Sequence, residues 1–179
     1  MPKINIETAP VNMKCSYPSP YDAHCAGRRK IALGDLGQLT QFGVNLTRLP
    51  AGAASAHQHW HQHEDELVYV VEGEVMLIED DGETLLRAGD VATFKAGVEN
   101  GHMLVNRSEQ DAVFLEVGTR ADKEVSTYTD PEVDMQLIKD GKMTDADSVY
   151  GLPKVRTSFK IKAKKKVVEE KKDDAPAEE

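Results

Sequence analysis

Cysteine is nearly missing from this chain: there are 2 in 179 residues, Cys15 and Cys25. That excludes a small domain stapled by disulfides, and the turn-rich "SYPSPYDAH" between the two is expected to join reduced thiols. Long hydrophobic runs are missing too. No stretch approaches the ~20 apolar residues that cross a bilayer, and "MPKINIETAP" lacks the apolar segment of a secretory leader. The expectation is a cytoplasmic protein with no membrane partner. Positive charge is in deficit, with 22 Lys and Arg against 31 Asp and Glu and a formal charge of -9. Phosphate backbones are repelled by such a body, and no helix-turn-helix pattern is present, so nucleic acid is not an expected partner. Amphipathic helices between the apolar runs are also lacking, which disfavours a doubly wound α/β sheet.

What is there suits a soluble globular domain: 40% hydrophobic and 30% charged residues, in a chain long enough for one core plus a tail. From about residue 40 short apolar runs alternate with turn signals: "FGVNLTRL" before "PAGA", "ELVYVVEGEVMLIE" before "DDGE", then "TLLRAGD", "VATFKAG", "HMLVN" and "AVFLEVG". Asp81-Gly82 is the expected two-residue hairpin turn, because glycine takes positive φ at little cost. This density of strands predicts an all-β antiparallel sandwich or small barrel. Four regions are expected: an extended, proline-bearing arm over residues 1–30, the barrel over 31–120, an extension packing on it over 121–157, and a charged, disordered tail over 158–179. The tail "SFKIKAKKKVVEEKKDDAPAEE" splits into basic and acidic blocks with too little apolar area to offset chain entropy.

Chemistry concentrates in "HQHWHQHEDE", residues 57–66. On an extended strand alternate side chains share a face, so His57, His59, His61 and His63 form three overlapping His-x-His pairs. A mononuclear metal site needs more than one such pair, typically a carboxylate from a neighbouring strand and a distant histidine. Glu66 opens the next apolar run, and His102 in "KAGVENGHMLVN" opens another. Two zinc motifs are excluded. In "HEDEL" the second histidine of a His-Glu-x-x-His helix is replaced by Leu67, and "HWHQHE" misplaces the acid of the His-x-His-x-Asp-His pattern.

These residues resemble the cupin superfamily, specifically its small single-domain bacterial members. The family's first motif is matched in order by Gly52, His59, His61, Glu66 and Gly73, with one extra residue before His59, and the Glu66-to-Gly73 register selects the His59/His61 pair. The second motif is matched by Gly89, Gly97, His102 and Asn106, with Lys95 in place of its proline and a longer gap before His102. The resemblance implies a double-stranded β-helix, or jelly-roll, barrel. It also implies a divalent transition metal (Fe, Mn, Ni, Zn or Cu) held by His59, His61, Glu66 and His102, and a homodimer. His57 and His63 become rim or supporting histidines, and Trp60, between the ligands on the opposite face, packs in the wall. Arg48, Tyr69 and Phe94 are candidate cavity residues. The implied function is a metal-dependent dioxygenase, isomerase or lyase on a small oxygenated molecule, with Glu66 acting as base only if it leaves the ion. The alternative is a non-catalytic binding or sensing module with a structural metal, since no acid/base pair stands out beyond the ligands.

Overall fold

The computed structural model describes residues 3–130, 133, 135–139 and 157–161. Twelve strands run through it: β1 Arg29–Ala32, β2 Phe42–Leu49, β3 His59–His61, β4 Glu66–Glu72, β5 Glu74–Glu79, β6 Gly82–Arg87, β7 Val91–Phe94, β8 His102–Val105, β9 Ala112–Thr119, β10 Glu124–Tyr128, β11 Met135–Lys139 and β12 Thr157–Ile161. The only α-helix among the described residues, α1 (Leu33–Leu36), is a single turn. Every named strand pair is antiparallel, and the strands form two sheets ordered β1-β2-β9-β4-β7 and β12-β11-β10-β3-β8-β5-β6. This is the expected all-β jelly roll.

Period-two patterning decides which face of each strand is inside. In β4, Val68 and Val70 are 2% and 0% exposed, while Tyr69 and Val71 between and beyond them stand at 39% and 45%. Leu49, Phe114 and Ala112 from the first sheet meet Val75, Leu77, Leu86 and Leu104 from the second in one apolar layer. Each fully buried side chain of this kind contributes about 1.5–3 kcal/mol. Gly73, at φ 75°, closes the β4–β5 turn, and a Cβ there would meet the Asp111 carbonyl at 2.9 Å.

The β5–β6 hairpin forms where expected, but its register differs. Glu79 pairs with Gly82, so Asp80 and Asp81 make the turn and Gly82 starts β6. Asp80 is drawn into the turn by its carboxylate, which accepts from Gln58 Nε2 at 2.7 Å and from the Gly101 amide at 2.9 Å.

The arm lies on the body of its own chain. Asn12 and Lys30 exchange backbone hydrogen bonds at 2.8 and 2.9 Å, and Tyr17 and Tyr21 pack against Tyr128 and Val133. Cys15 and Cys25 are both free thiols. Of the extension expected at 121–157, β10 and β11 are strands of the second sheet itself. Residues 157–161 form β12, and the rest of the tail expected to be disordered lies outside the described residues. No helix among the described residues is long and apolar enough to cross a membrane.

Candidate metal centre

β3 is only three residues long, yet it has a hydrogen-bonded strand on each side. His59 pairs with His102 of β8 and with Tyr128 of β10, and His61 pairs with Ser126 of β10. The alternation that turns His59 and His61 to one face puts Trp60 on the other, half-buried. Glu66 reaches the same space from the first sheet. It shares the inner face of β4 with Val68 and Val70, and its carboxylate lies 3.2 Å from His102 Nε2 and 3.4 Å from His61 Nε2. Ligand atoms of His59, His61 and Glu66 all fall within 4.8 Å of one another. The His59 ring centroid is 4.9 Å from that of His61 and 5.1 Å from that of His102. Gly101, packed tightly against Thr129, sets the backbone that delivers His102.

The surroundings set the charge states. His59 donates its Nδ1–H to the His57 carbonyl at 2.7 Å, which leaves Nε2 as a lone-pair donor toward the cluster. Burial, reinforced by the neighbouring His61 and His102, pushes the His59 pKa down to about 3, so this imidazole is neutral. Burial acts in the same direction on His61, but contacts with Glu124 and Glu66 outweigh it and raise its pKa to about 10. For Glu66, burial favours the protonated acid, yet His102 and His61 hold the carboxyl well below the usual range. His102 lies flat on Phe94, with centroids 3.6 Å apart and planes at 3°, and its Nδ1 is buried without a hydrogen-bond partner among the described residues.

The donor set suits a transition ion. Ligands at right angles on an ion with bonds of about 2.1 Å stand about 3 Å apart. The Glu66 oxygen already lies 3.2 and 3.4 Å from two imidazole nitrogens. Neutral imidazoles with one carboxylate are donors for the borderline divalent metals.

Other candidate residues take different places. His57, expected with His63 as a rim or supporting residue, is 5% exposed and so does not stand at the rim. β3 begins only at His59, so His57 escapes the strand alternation and turns into the arm. There its Nδ1 meets Asp130 at 2.9 Å, its Nε2 meets the Tyr21 carbonyl at 2.8 Å, and its ring stacks on His24 at 4.2 Å. Although His24, His57 and Asp130 are close enough to suggest a second ion site, two stacked rings keep their in-plane lone pairs parallel, so these do not converge on one ion. His63 is exposed at the rim, its Nδ1 3.7 Å from Glu124. Arg48 and Tyr69 point outward, Arg48 pairing with Glu72 and Asp111. Phe94 alone of the three candidate cavity residues lies against the cluster.

Sequence reasoning missed two groups. Glu124 and Ser126 face His61 from β10, and the alternation of "EVSTY" was their only signal. Lys30, Asn45 and Glu116 share the inner face of the first sheet. Asn45 and Glu116 are cross-strand partners in phase with Leu49 and Phe114, and Glu116 is diagonal to Glu66 across β4 and β9. Glu116 accepts from Lys30 Nζ at 2.6 Å and from Asn45 Nδ2 at 3.5 Å.

A jelly roll with imidazoles from two adjacent strands and a carboxylate from the facing sheet defines the class, and the chain belongs to the cupin superfamily. The family model described as a Cupin domain matches residues 45–118. Among solved structures, a sugar phosphate isomerase of the cupin superfamily from Silicibacter pomeroyi is 39% identical, with 90% of this chain and 93% of that one covered and a TM-score of 0.78. A candidate sugar phosphate isomerase from Acidithiobacillus ferrooxidans is 28% identical over 63% of this chain and 70% of that one, with a TM-score of 0.59. A polyketide cyclase from Streptomyces resistomycificus, 20% identical over 66% of this chain and 79% of that one with a TM-score of 0.55, shares the fold alone. No curated protein matches the chain.

Proposed function

We propose that this protein is a metal-dependent isomerase of a small sugar phosphate, with His59, His61, Glu66 and His102 as ligands of one divalent ion (Fe, Mn, Ni, Zn or Cu). The observation that carries the reading is the cluster of His59, His61 and Glu66 ligand atoms within 4.8 Å of one another on the inner face of the barrel, with His102 Nε2 3.2 Å from the Glu66 carboxylate. The likeness to the Silicibacter pomeroyi isomerase favours isomerisation over the dioxygenase and lyase chemistries that the same ligands support. A bound divalent ion would act as a Lewis acid toward hydroxyl and carbonyl oxygens.

The chain's own residues account for the rest. Aldose–ketose interconversion moves a proton between adjacent carbons and another between their oxygens, and it consumes no oxidant or co-substrate. Glu116, one pleat further into the barrel than Glu66, is the base in this reading. Lys30 Nζ and Asn45 Nδ2 both donate to its carboxylate and orient it. Phe94 covers one side of the cluster by lying flat on the His102 ring.

The test is NMR of aldose and ketose phosphates incubated with protein loaded with Mn(II), Fe(II), Ni(II) or Zn(II). Interconversion of at least one pair, lost on chelation, is expected. Binding of such compounds without turnover would favour the second reading, a sensing module with a structural metal.

A homodimer belongs to the same reading. Ile31, Leu46, Leu115, Tyr69 and Val91 are successive cross-strand partners and make one apolar row across the outer face of the first sheet. A second copy of the chain is the occupant assigned to that face.

A further inference from the structure

We infer that Glu124 is a positioning residue of the metal centre, acting through His61; this rests on the metal-site reading above. The carboxylate is 4% exposed, a burial that requires partners. Glu124 Oε1 accepts from the Gln62 amide and Oε2 from the His63 amide, both at 2.8 Å. These are the two peptide groups immediately after His61. The same Oε1 lies 3.4 Å from His61 Nδ1, and Ser126 Oγ lies 3.3 Å from it. The opposite ring nitrogen, Nε2, faces Glu66.

One carboxylate therefore holds both the backbone that carries the His61 ring and the ring's outward nitrogen. A proton on Nδ1 has two acceptors there, which leaves the Nε2 lone pair for an ion. A histidine so held is oriented before the ion arrives, and loss of such a partner weakens metal affinity by about 10–100-fold. β10 lies beyond the cupin match at 45–118, so the positioning group comes from chain outside the matched region. A purely architectural role is the competing account: Glu124 would only tie the β3–β4 turn to β10.

Two measurements on the 179-residue chain separate them. The first is calorimetric titration of Zn(II) into wild type and E124Q, with thermal unfolding of both metal-free proteins. A 10–100-fold weaker Kd for E124Q is expected, measured at a temperature at which the unfolding curves show both metal-free proteins folded. An unchanged Kd overturns the inference. The second needs no variant: histidine 15N spectra of wild type loaded with Zn(II). His61 bound through Nε2 with its proton on Nδ1 is expected, and a metal bond to Nδ1 overturns the inference even if E124Q fails to fold. A wild type that takes up no Zn(II) removes the metal-site reading, and this inference with it.

Discussion

His57 supports His59 with its backbone and serves the arm with its side chain. Its carbonyl accepts the His59 Nδ1–H at 2.7 Å, while its own ring is buried against Asp130 and the Tyr21 carbonyl. The two histidines therefore separate by substitution. His57→Ala keeps the carbonyl, so it retains metal but loses about 1–3 kcal/mol of stability with the buried hydrogen bonds of its ring. His59→Ala keeps the fold and loses the ion. Elemental analysis beside thermal unfolding reads both, and loss of metal in His57→Ala would contradict the assignment.

Proton linkage gives a second prediction. With its pKa raised to about 10, His61 carries a proton at pH 7 in the metal-free protein, and an incoming ion must displace it. Metal uptake at pH 7 should release about one proton, measured by titration in buffers of different ionisation enthalpy.

The same groups shape stability without metal. The His61 contribution is complete below the unfolded value of about 6.5 and is lost as pH rises through about 10. His59, lowered to about 3, acts oppositely: its contribution is complete above about 6.5 and is lost as pH falls toward 3. From these two groups alone, metal-free Tm peaks near pH 6.5. A Tm rising steadily from pH 6.5 to 10 would contradict the His61 environment.

Glu116→Gln tests the assigned base. The amide keeps an acceptor for Lys30 and leaves the four proposed ligands untouched, so metal content is retained. The kcat for sugar phosphate interconversion should fall about a hundred- to ten-thousand-fold with a smaller change in KM. Undiminished turnover would move the proton transfer elsewhere.

The apolar row on the first sheet predicts a dimer that a single charge disrupts. Val91 is 53% exposed at the start of edge strand β7. Val91→Lys should give a monomer by light scattering with the barrel intact by circular dichroism. A wild-type monomer would remove the interface.

Much of the barrel was legible because its signals are local. Short apolar runs between turn signals announced the strands, Gly73 marked the turn that ends β4, and a two-residue period offered three His-x-His pairs, from which the cupin motif's Glu66-to-Gly73 register picked His59 and His61. What escaped depends on distant pairing. β3 stops too soon to carry His57 with it, and nothing near residue 57 announces that Asp130 waits for its ring. Glu124 lies 62 positions from the amide it holds, and Lys30 lies 86 from Glu116, so no window along the chain joins them. The hairpin turn moved by one residue because Asp80 answers to Gln58 and Gly101, contacts invisible to a dipeptide rule.

The position of β3 between β8 and β10 bears on how the protein matures during synthesis. Chains emerge from the ribosome amino end first. A nascent chain exposed as far as Val105 can already pair His59 with His102, but the other flank of β3 stays open until Tyr128 has cleared the tunnel. A half-zipped β3 thus presents its imidazoles before β10 docks, and the proposed metal centre is complete only once both flanks of β3 are paired.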